Sequence, residues 1–279
     1  NIKLKLILSL PHLFINQNLQ METKAAIRGG EFLIKEVTVD EVFIPEEFDE
    51  EQQMIAESCV DFVETEVAPH FNDLDEHAEG LMAKLLKKAG ELGLLGISVP
   101  EELDGFGQSF LTSMKANESI GSAYSFSVAF MAHTGIGTLP ILYYGNDEQH
   151  QKYIPDLATG EKLAAYCLTE PNAGSDANAG KTNAKLSDDG KNYIINGQKI
   201  WISNGGFADI MIVFAKIGTD KNHSAFIVES KSEGITMGPE EVKLGIKGSS
   251  TRQIYYENVE VPVENLLGNR GQGFEIALN

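Results

Sequence analysis

Apolar side chains recur at helical spacing through the first half of the chain. Two stripes repeat every three or four residues, at Ile55, Cys59, Phe62, Val63 and Val67 and at Leu81, Leu85, Leu86, Ala89 and Leu92. Such stripes predict amphipathic helices that each bury one face. Further helices are expected at 111–123, through the apolar run 125–144, and at 147–159, where Asn146 or Asp147 is the N-cap and Gly160 follows the last turn.

After Lys162 the helical spacing of apolar residues gives way to short apolar runs, which predict strands. Apolar runs at 163–168, 209–216, 224–229 and 253–261 are bounded by clusters of Gly, Asn, Asp and Ser. The run 193–202 is interrupted by Asn196-Gly197, which predicts a two-residue hairpin turn between two strands. A helical half followed by a strand-rich half, without βαβ alternation, predicts a multidomain α+β fold and argues against a doubly wound sheet.

The same pattern predicts where the domains begin and end. Residues 1–20 carry two lysines and no acid, and we interpret them as an extension outside the fold. Residues 21–160 are expected to form an α-helical domain, and residues 161–268 a β domain. Residues 269–279 have helical spacing without a cap or a terminating glycine, which is typical of the start of a further helix.

Composition excludes several classes of function. The chain has 279 residues, with 22 Lys and Arg against 41 Asp and Glu, and a net charge of −19. This charge opposes binding to nucleic-acid backbones or anionic membranes. Two cysteines, Cys59 and Cys167, are too few for a disulfide framework and indicate a reducing compartment. The six histidines show no ligand spacing, so we expect no metal.

One glycine motif fails on inspection. Gly135-Ile136-Gly137 begins like a dinucleotide fingerprint, but it lacks the third glycine and follows a helical pattern instead of a strand. We therefore expect no nicotinamide-binding domain. His133, in the same apolar stretch, is interpreted as a packed histidine and not as a catalytic one.

Two polar segments at the ends of predicted strands are the candidate site. The loop Tyr166–Asp176 is crowded with hydroxyl, amide and glycine residues, and such a loop can hold an anion or a polar heterocycle. The segment Lys199–Gly206 contains the only tryptophan of the chain, Trp201, followed by Ser203 and two glycines. An apolar plate beside a hydroxyl donor suits an isoalloxazine ring. Taken separately, an ordinary turn and a core tryptophan also explain these segments.

These two segments resemble the acyl-CoA dehydrogenase family. Cys167–Ala179, CLTEPNAGSDANA, resembles the family signature, and Lys199–Gly206, KIWISNGG, resembles its flavin-covering strand. LGIKGSST from Leu244 and VPVENLLG from Val261 look like later landmarks of the middle domain, and GGEFL from Gly29 looks most like the very-long-chain subgroup. The resemblance implies an all-α N-terminal domain, a β-barrel-like middle domain and a C-terminal helical bundle that is almost entirely absent from this sequence.

The resemblance also implies the cofactor and the residues that bind it. FAD would lie between the middle and C-terminal domains. Its contacts would be Tyr166, Cys167, Leu168, Thr169, Gly174, Ser175, Trp201, Ile202 and Ser203. Thr169 would donate to the pyrimidine end of the flavin, Trp201 would pack on the ring and Ser203 would donate toward N5. Ser175 would also contact the CoA thioester, whereas Glu170 and Asp176 would brace the loop.

The implied reaction is α,β-dehydrogenation of long-chain fatty acyl-CoA thioesters. The resemblance implies an electron-transfer flavoprotein as acceptor, a homo-oligomer, and location in the cytoplasm, or in the mitochondrial matrix of a eukaryote. The family's base is a glutamate of the C-terminal domain, so no catalytic residue is assigned here. We accordingly expect this stretch alone to be inactive and to retain FAD poorly.

Two alternatives remain open from the sequence. One is an acyl-CoA oxidase, which passes electrons to oxygen, and the other is a non-catalytic scaffold of the same fold. Acyl chain length would depend on a cavity between helices at 113–145. Small residues there would permit a deep cavity, namely Ala123, Ala129, Ala132, Gly135 and Gly137.

Overall fold

The computed structural model describes residue 27 and residues 29–38 and 41–279. The chain divides into two compact units, residues 1–49 and residues 50–279. The described backbone of the first unit forms short 3-10 turns at Gly29–Leu33 and Pro45–Glu47. The interpretation of residues 1–20 as an extension falls outside the described residues, and the domain boundaries stay predictions.

The helices of the second unit largely precede its strands, as the apolar spacing predicts. They are α1 (Glu50–Phe62), α2 (Phe71–Asp75), α3 (Leu81–Glu91), α4 (Phe110–Ile120), α5 (Ser125–Met131), α6 (Leu139–Tyr144), α7 (Asp147–Thr159) and, after the strands, α8 (Gly273–Leu278). A π-helical turn at Val63–Val67 extends α1, and another at Ala132–Gly137 joins α5 to α6. The apolar residues of α1 to α5 meet in one core around Phe62, Leu86 and Phe126.

Helix α7 confirms the predicted end signals. The Asn146 side chain accepts a hydrogen bond from the Gln149 backbone amide at 2.8 Å, and the Gln149 side chain accepts one from the Asn146 backbone amide, which completes a capping box. Gly160 ends the helix in the left-handed conformation with φ of +75°, which glycine adopts without a Cβ penalty.

The apolar run Ser125–Tyr144 is long and apolar enough to cross a membrane, by length and composition alone. However, 61% of its most apolar window is buried against the rest of the described protein. This burial is what a core helix shows, so the run gives only weak support to a membrane span.

The strands form one eight-stranded sheet in the order β6-β7-β3-β2-β4-β5-β8, with β1 paired to β4. They are β1 (Ala164–Cys167), β2 (Asn183–Leu186), β3 (Asn192–Ser203), β4 (Ile210–Ile217), β5 (His223–Glu229), β6 (Ile235–Glu240), β7 (Thr251–Pro262) and β8 (Leu266–Leu267). The pairs β1–β4 and β2–β4 are parallel, and the other pairs are antiparallel.

The sheet curls around its own apolar core, as the expected barrel-like domain requires. Side chains from six strands meet in this core, among them Cys167, Ile195, Met211, Phe226 and Tyr256. The other face of β4 and β5 packs against α7 in a second core. The helical domain is thereby attached to the outside of the curled sheet, and the α+β architecture is confirmed.

The hairpin prediction at Asn196-Gly197 is wrong. Strand β3 runs unbroken through both residues, and the dipeptide forms a bulge opposite β7, where the register shifts between Ile195 and Gly197. The Asn196 side chain accepts a hydrogen bond from the Asn258 amide at 2.9 Å. A Cβ at position 197 would lie 2.4 Å from Thr182 Oγ1. Glycine is therefore required for close approach to the chain before β2, and not for a turn.

Candidate functional site

The two segments singled out in the sequence lie side by side in the structure. The loop that follows β1 is joined to the end of β3 by the Ile200 amide, which donates to the Thr169 carbonyl at 2.9 Å. Lys199 Nζ donates to the Leu168 carbonyl at 3.0 Å. Residues about thirty positions apart in the chain therefore form one edge of the sheet.

A buried ion pair lies beneath this edge. Lys199 Nζ and Glu170 Oε1 are 2.7 Å apart, and their side chains are 0% and 7% exposed. The Glu170 carboxylate also accepts from the amides of Lys181 and Thr182, at 2.5 and 3.1 Å. Burial opposes ionisation of Glu170, but Lys199 and these donors hold its pKa below the usual value. The contacts agree with a bracing role for Glu170.

Trp201 stands out by its backbone as well as by its type. Its φ is +59°, and it lies in a bulge where the β3–β7 register shifts between Lys199 and Ile202. The left-handed region is unfavourable for a bulky side chain, and such strain collects at functional sites. Trp201 is 57% exposed, so the bulge displays an apolar plate on the surface.

Three hydroxyls of the candidate site are free to bind a ligand. Thr169 and Ser203 are half-buried and Ser175 is exposed, and none of the three hydroxyls is hydrogen-bonded to another described residue. A Cβ at Gly174 would meet no atom within 4 Å. The surface around the loop is therefore open at Gly174, and the hydroxyls of Thr169, Ser175 and Ser203 lack protein partners.

Four other residues predicted to contact FAD have side chains that pack into the protein or bond to it. The Cys167 and Ile202 side chains are buried in the barrel core, so only their backbones can face a ligand. Burial raises the pKa of the Cys167 thiol to about 11, which makes it a poor nucleophile. Leu168 packs against the second core. Tyr166 donates from its hydroxyl to the Ala277 carbonyl at 3.1 Å, and burial raises its pKa.

An apolar cavity of about 360 Å³ adjoins the sheet through Tyr166. Its wall is built from the segment after α3, from α4, the end of α5, the turn Ala132–Gly137, α6 and α8. It includes Leu95, Phe130, Gly135, Leu139 and Ile276. No aspartate or glutamate is among the described residues that line it. Of the five small residues expected to permit a cavity, only Gly135 lines it, because the other four pack into the surrounding protein.

His133 and Asn204 connect the cavity wall to the sheet. The Ala164 amide donates to His133 Nδ1 at 3.0 Å, so His133 Nε2 carries the proton that bonds the Leu157 carbonyl at 2.9 Å. Burial lowers the pKa of His133 to about 4, which keeps the imidazole neutral and confirms a packed histidine. Asn204 Nδ2 donates to the carbonyls of Ala129 and Ala164, at 2.9 and 3.2 Å.

Sequence reasoning missed Lys199 and Asn204. Lys199 is a lone charge within an apolar strand run, two residues before the tryptophan, and this isolation was the available signal. Asn204 had no separate signal in the sequence, because the residue only precedes two glycines in an expected turn. Among the residues the structure describes, no group of three or more His, Cys, Asp or Glu could hold a metal ion.

Comparison with known proteins places two family models on the chain. The acyl-CoA dehydrogenase N-terminal domain matches residues 49–161, and the acyl-CoA dehydrogenase middle domain matches residues 165–259.

Individual relatives agree with these matches. A probable acyl-CoA dehydrogenase of Bacillus subtilis is 51% identical over 90% of this chain and 42% of its own length. The mouse very long-chain specific acyl-CoA dehydrogenase is 42% identical over 88% of this chain and 39% of its own. A Bacillus anthracis acyl-CoA dehydrogenase, solved in complex with FAD, superposes with a TM-score of 0.86 at 51% identity, covering 89% of this chain and 43% of that one. The chain therefore spans about two fifths of the length of these relatives.

Proposed function

Because the chain belongs to the acyl-CoA dehydrogenase family, we propose that the protein oxidises fatty acyl-CoA thioesters to α,β-unsaturated thioesters with FAD as cofactor. The observation that carries the proposal is the strained, exposed Trp201 beside free hydroxyls, at an edge that adjoins an apolar cavity. A flat ring could stack on the indole and accept hydrogen bonds from the hydroxyls, and an acyl chain could enter the separate apolar cavity.

The residues present fit a flavin. An isoalloxazine needs apolar cover over its fused rings and donors at its polar rim. Trp201 would supply the cover, and the hydroxyls of Thr169 and Ser203 would supply donors. Cys167 and Ile202 would contribute through their backbones, since their side chains face the barrel core. The bound flavin would supply the capacity to accept a hydride.

The protein residues would bind and orient the thioester. Ser175, on the open loop, would contact the CoA arm, and the cavity beside Tyr166 would take the acyl chain and exclude water from it. Removal of the α-proton requires a base, and no acidic side chain lines the described cavity. We therefore assign no base on this chain and expect it from the family's C-terminal domain.

We propose a long-chain substrate. A cavity of about 360 Å³ holds roughly a dozen groups of water or methylene size, at ~30 Å³ each. The similarity to the mouse very long-chain enzyme supports the same substrate class. Dodecanoyl-CoA should therefore bind more tightly than butyryl-CoA in a calorimetric titration, and equal affinities would contradict this assignment.

The flavin assignment is tested by equilibrium dialysis against FAD. Trp201→Ala and Ser203→Ala should each weaken FAD binding at least tenfold, because one loses the plate and the other a donor. Ser58→Ala is the matched control, since its hydroxyl bonds only the Met54 carbonyl on α1. Unchanged affinity in both site variants would reject the assignment.

For the electron acceptor we propose an electron-transfer flavoprotein. Flavin reduced by acyl-CoA in an active preparation should then reoxidise slowly in air and rapidly with that protein. Rapid reoxidation by air would assign an oxidase instead. Failure of acyl-CoA to reduce the bound flavin in a protein that also carries the family's C-terminal domain would favour a scaffold.

A further inference from the structure

The Lys199–Glu170 pair joins strand β3 to both ends of the loop that follows β1. Through Glu170, one carboxylate binds the amides of Lys181 and Thr182, which lie at the far end of the loop that begins after β1. Lys199, which lies in β3, donates from Nζ to Glu170 and to the Leu168 carbonyl at the start of the loop. The start of the loop, its end and the neighbouring strand are therefore tied at one point.

This point lies immediately before the bulge that displays Trp201. Pairing of β3 with β7 holds as far as Lys199, opposite Ile254, and resumes at Ile202, opposite Arg252. Between them, Ile200 bonds instead to Thr169 on the loop. The position of the indole is thus set on one side by Lys199 and on the other by the resumed pairing.

Stability alone does not account for two buried charges here. Removing two ions from water is costly, and buried ion pairs can often be replaced by apolar side chains with little loss of stability. What an apolar pair cannot reproduce is directional bonding to the Leu168 carbonyl and to the two loop amides. The pair therefore contributes geometry that packing would not supply.

We propose that Lys199 and Glu170 are positioning residues for the flavin, holding the Thr169 hydroxyl and the Trp201 indole in fixed register. The proposal rests on the flavin-binding function proposed above. Both side chains are buried, so both act through the loop and the bulge that they tie together.

The test uses the double variant Lys199→Met/Glu170→Gln. It removes both charges, keeps side chains of similar size, and leaves an amide oxygen to accept from the Lys181 and Thr182 amides. Equilibrium dialysis should show FAD binding at least tenfold weaker, and the bound flavin should lose the resolved shape of its visible absorption band. Without FAD, hydrogen exchange of the Ile200 amide should be at least tenfold faster.

Leu86→Ala is the control for general destabilisation, since Leu86 is fully buried in the helical core. It should bind FAD within twofold of wild type. A cooperatively folded double variant with unchanged FAD affinity and unchanged Ile200 exchange would overturn the proposal. If the wild type binds no FAD, the proposed flavin-binding function is rejected, and the exchange rate of the Ile200 amide still shows whether the pair orders this edge.

If the double variant does not fold, the single variant Glu170→Gln is measured instead. Threefold weaker FAD binding in that variant supports the proposal, and unchanged binding overturns it.

Discussion

The turn Ala132–Gly137 has two sides that differ sharply in packing. On the cavity side, a Cβ at Gly135 would meet no atom within 4 Å. On the sheet side, a Cβ at Gly137 would lie 2.6 Å from the Ala164 Cβ, and His133 has both ring nitrogens bonded. Positions 135 and 137 are two residues apart, yet one faces open space and the other lies in close contact with the sheet.

This difference separates the parts that hold the fold from the parts that leave room for a ligand. A seam formed by His133, Gly137, Ala164 and Asn204 joins helices to sheet through close contact and through the hydrogen bonds of His133 and Asn204. On the inner surface of the cavity wall, Gly135 faces open space, and no close packing is needed there. Substitutions should therefore cost stability on the seam and alter ligand binding on the cavity side.

The largest effect is expected at Asn204 in the seam. Asn204→Leu removes the Nδ2 donor that bonds the Ala129 and Ala164 carbonyls, and it places leucine at a φ of +61°. The two lost hydrogen bonds and the strain should lower the free energy of unfolding by roughly 4 kcal/mol in urea titrations. Asn204→Gly, which relieves the strain, should lose less. A loss below ~1 kcal/mol for leucine would show that the seam does not depend on these bonds.

Next is the pH dependence that His133 confers. Its pKa is lowered to about 4 in the folded protein, against ~6.5 unfolded, so the unfolded state binds more protons between these values. His133 should therefore destabilise the fold by about 3 kcal/mol as pH falls from 7 through 4. Thermal unfolding across this range should show a shallower pH dependence in His133→Gln. The exposed control His77→Asn should keep the wild-type slope, and identical slopes in all three proteins would contradict the account.

A smaller loss is expected at Gly137. Gly137→Ala forces a methyl group against Ala164, and overpacking of this kind costs about 1–3 kcal/mol. Chemical denaturation of the single variant measures it. Wild-type stability would mean that the seam relaxes easily, which would weaken the contrast between the two sides.

The smallest effect on stability is expected at Gly135. Gly135→Leu places a side chain into the cavity, so the free energy of unfolding should change by less than ~1 kcal/mol. Dodecanoyl-CoA affinity, measured by calorimetry, should fall at least tenfold, because the space for the chain is filled. Full affinity in this variant would remove the cavity from the binding site.

Much of this architecture follows from local signals. Helix α7 has its own caps, and the apolar stripes of α1 and α3 face a single core, so sequence spacing predicts them. Strands β2 and β6 escaped prediction because they are short and only partly buried, which leaves a weak apolar signal.

The failures share a physical cause. Asn196-Gly197 matches a hairpin locally, but pairing of β3 with both β2 and β7 keeps the strand continuous, and the dipeptide forms a bulge. Lys199 and Asn204 matter only through partners far away in the chain, and local spacing carries no such information. The motif segments were recognised, while the bonds that hold them together required the structure.

The central claim is that the sheet edge around Trp201 holds an isoalloxazine ring. Because Trp201 is the only tryptophan, its fluorescence reports on this edge alone. Titration with FAD should quench that fluorescence to saturation, whereas ADP, which lacks the ring, should leave it unchanged. Fluorescence that shows no saturable response to FAD, or responds equally to ADP, would contradict the claim.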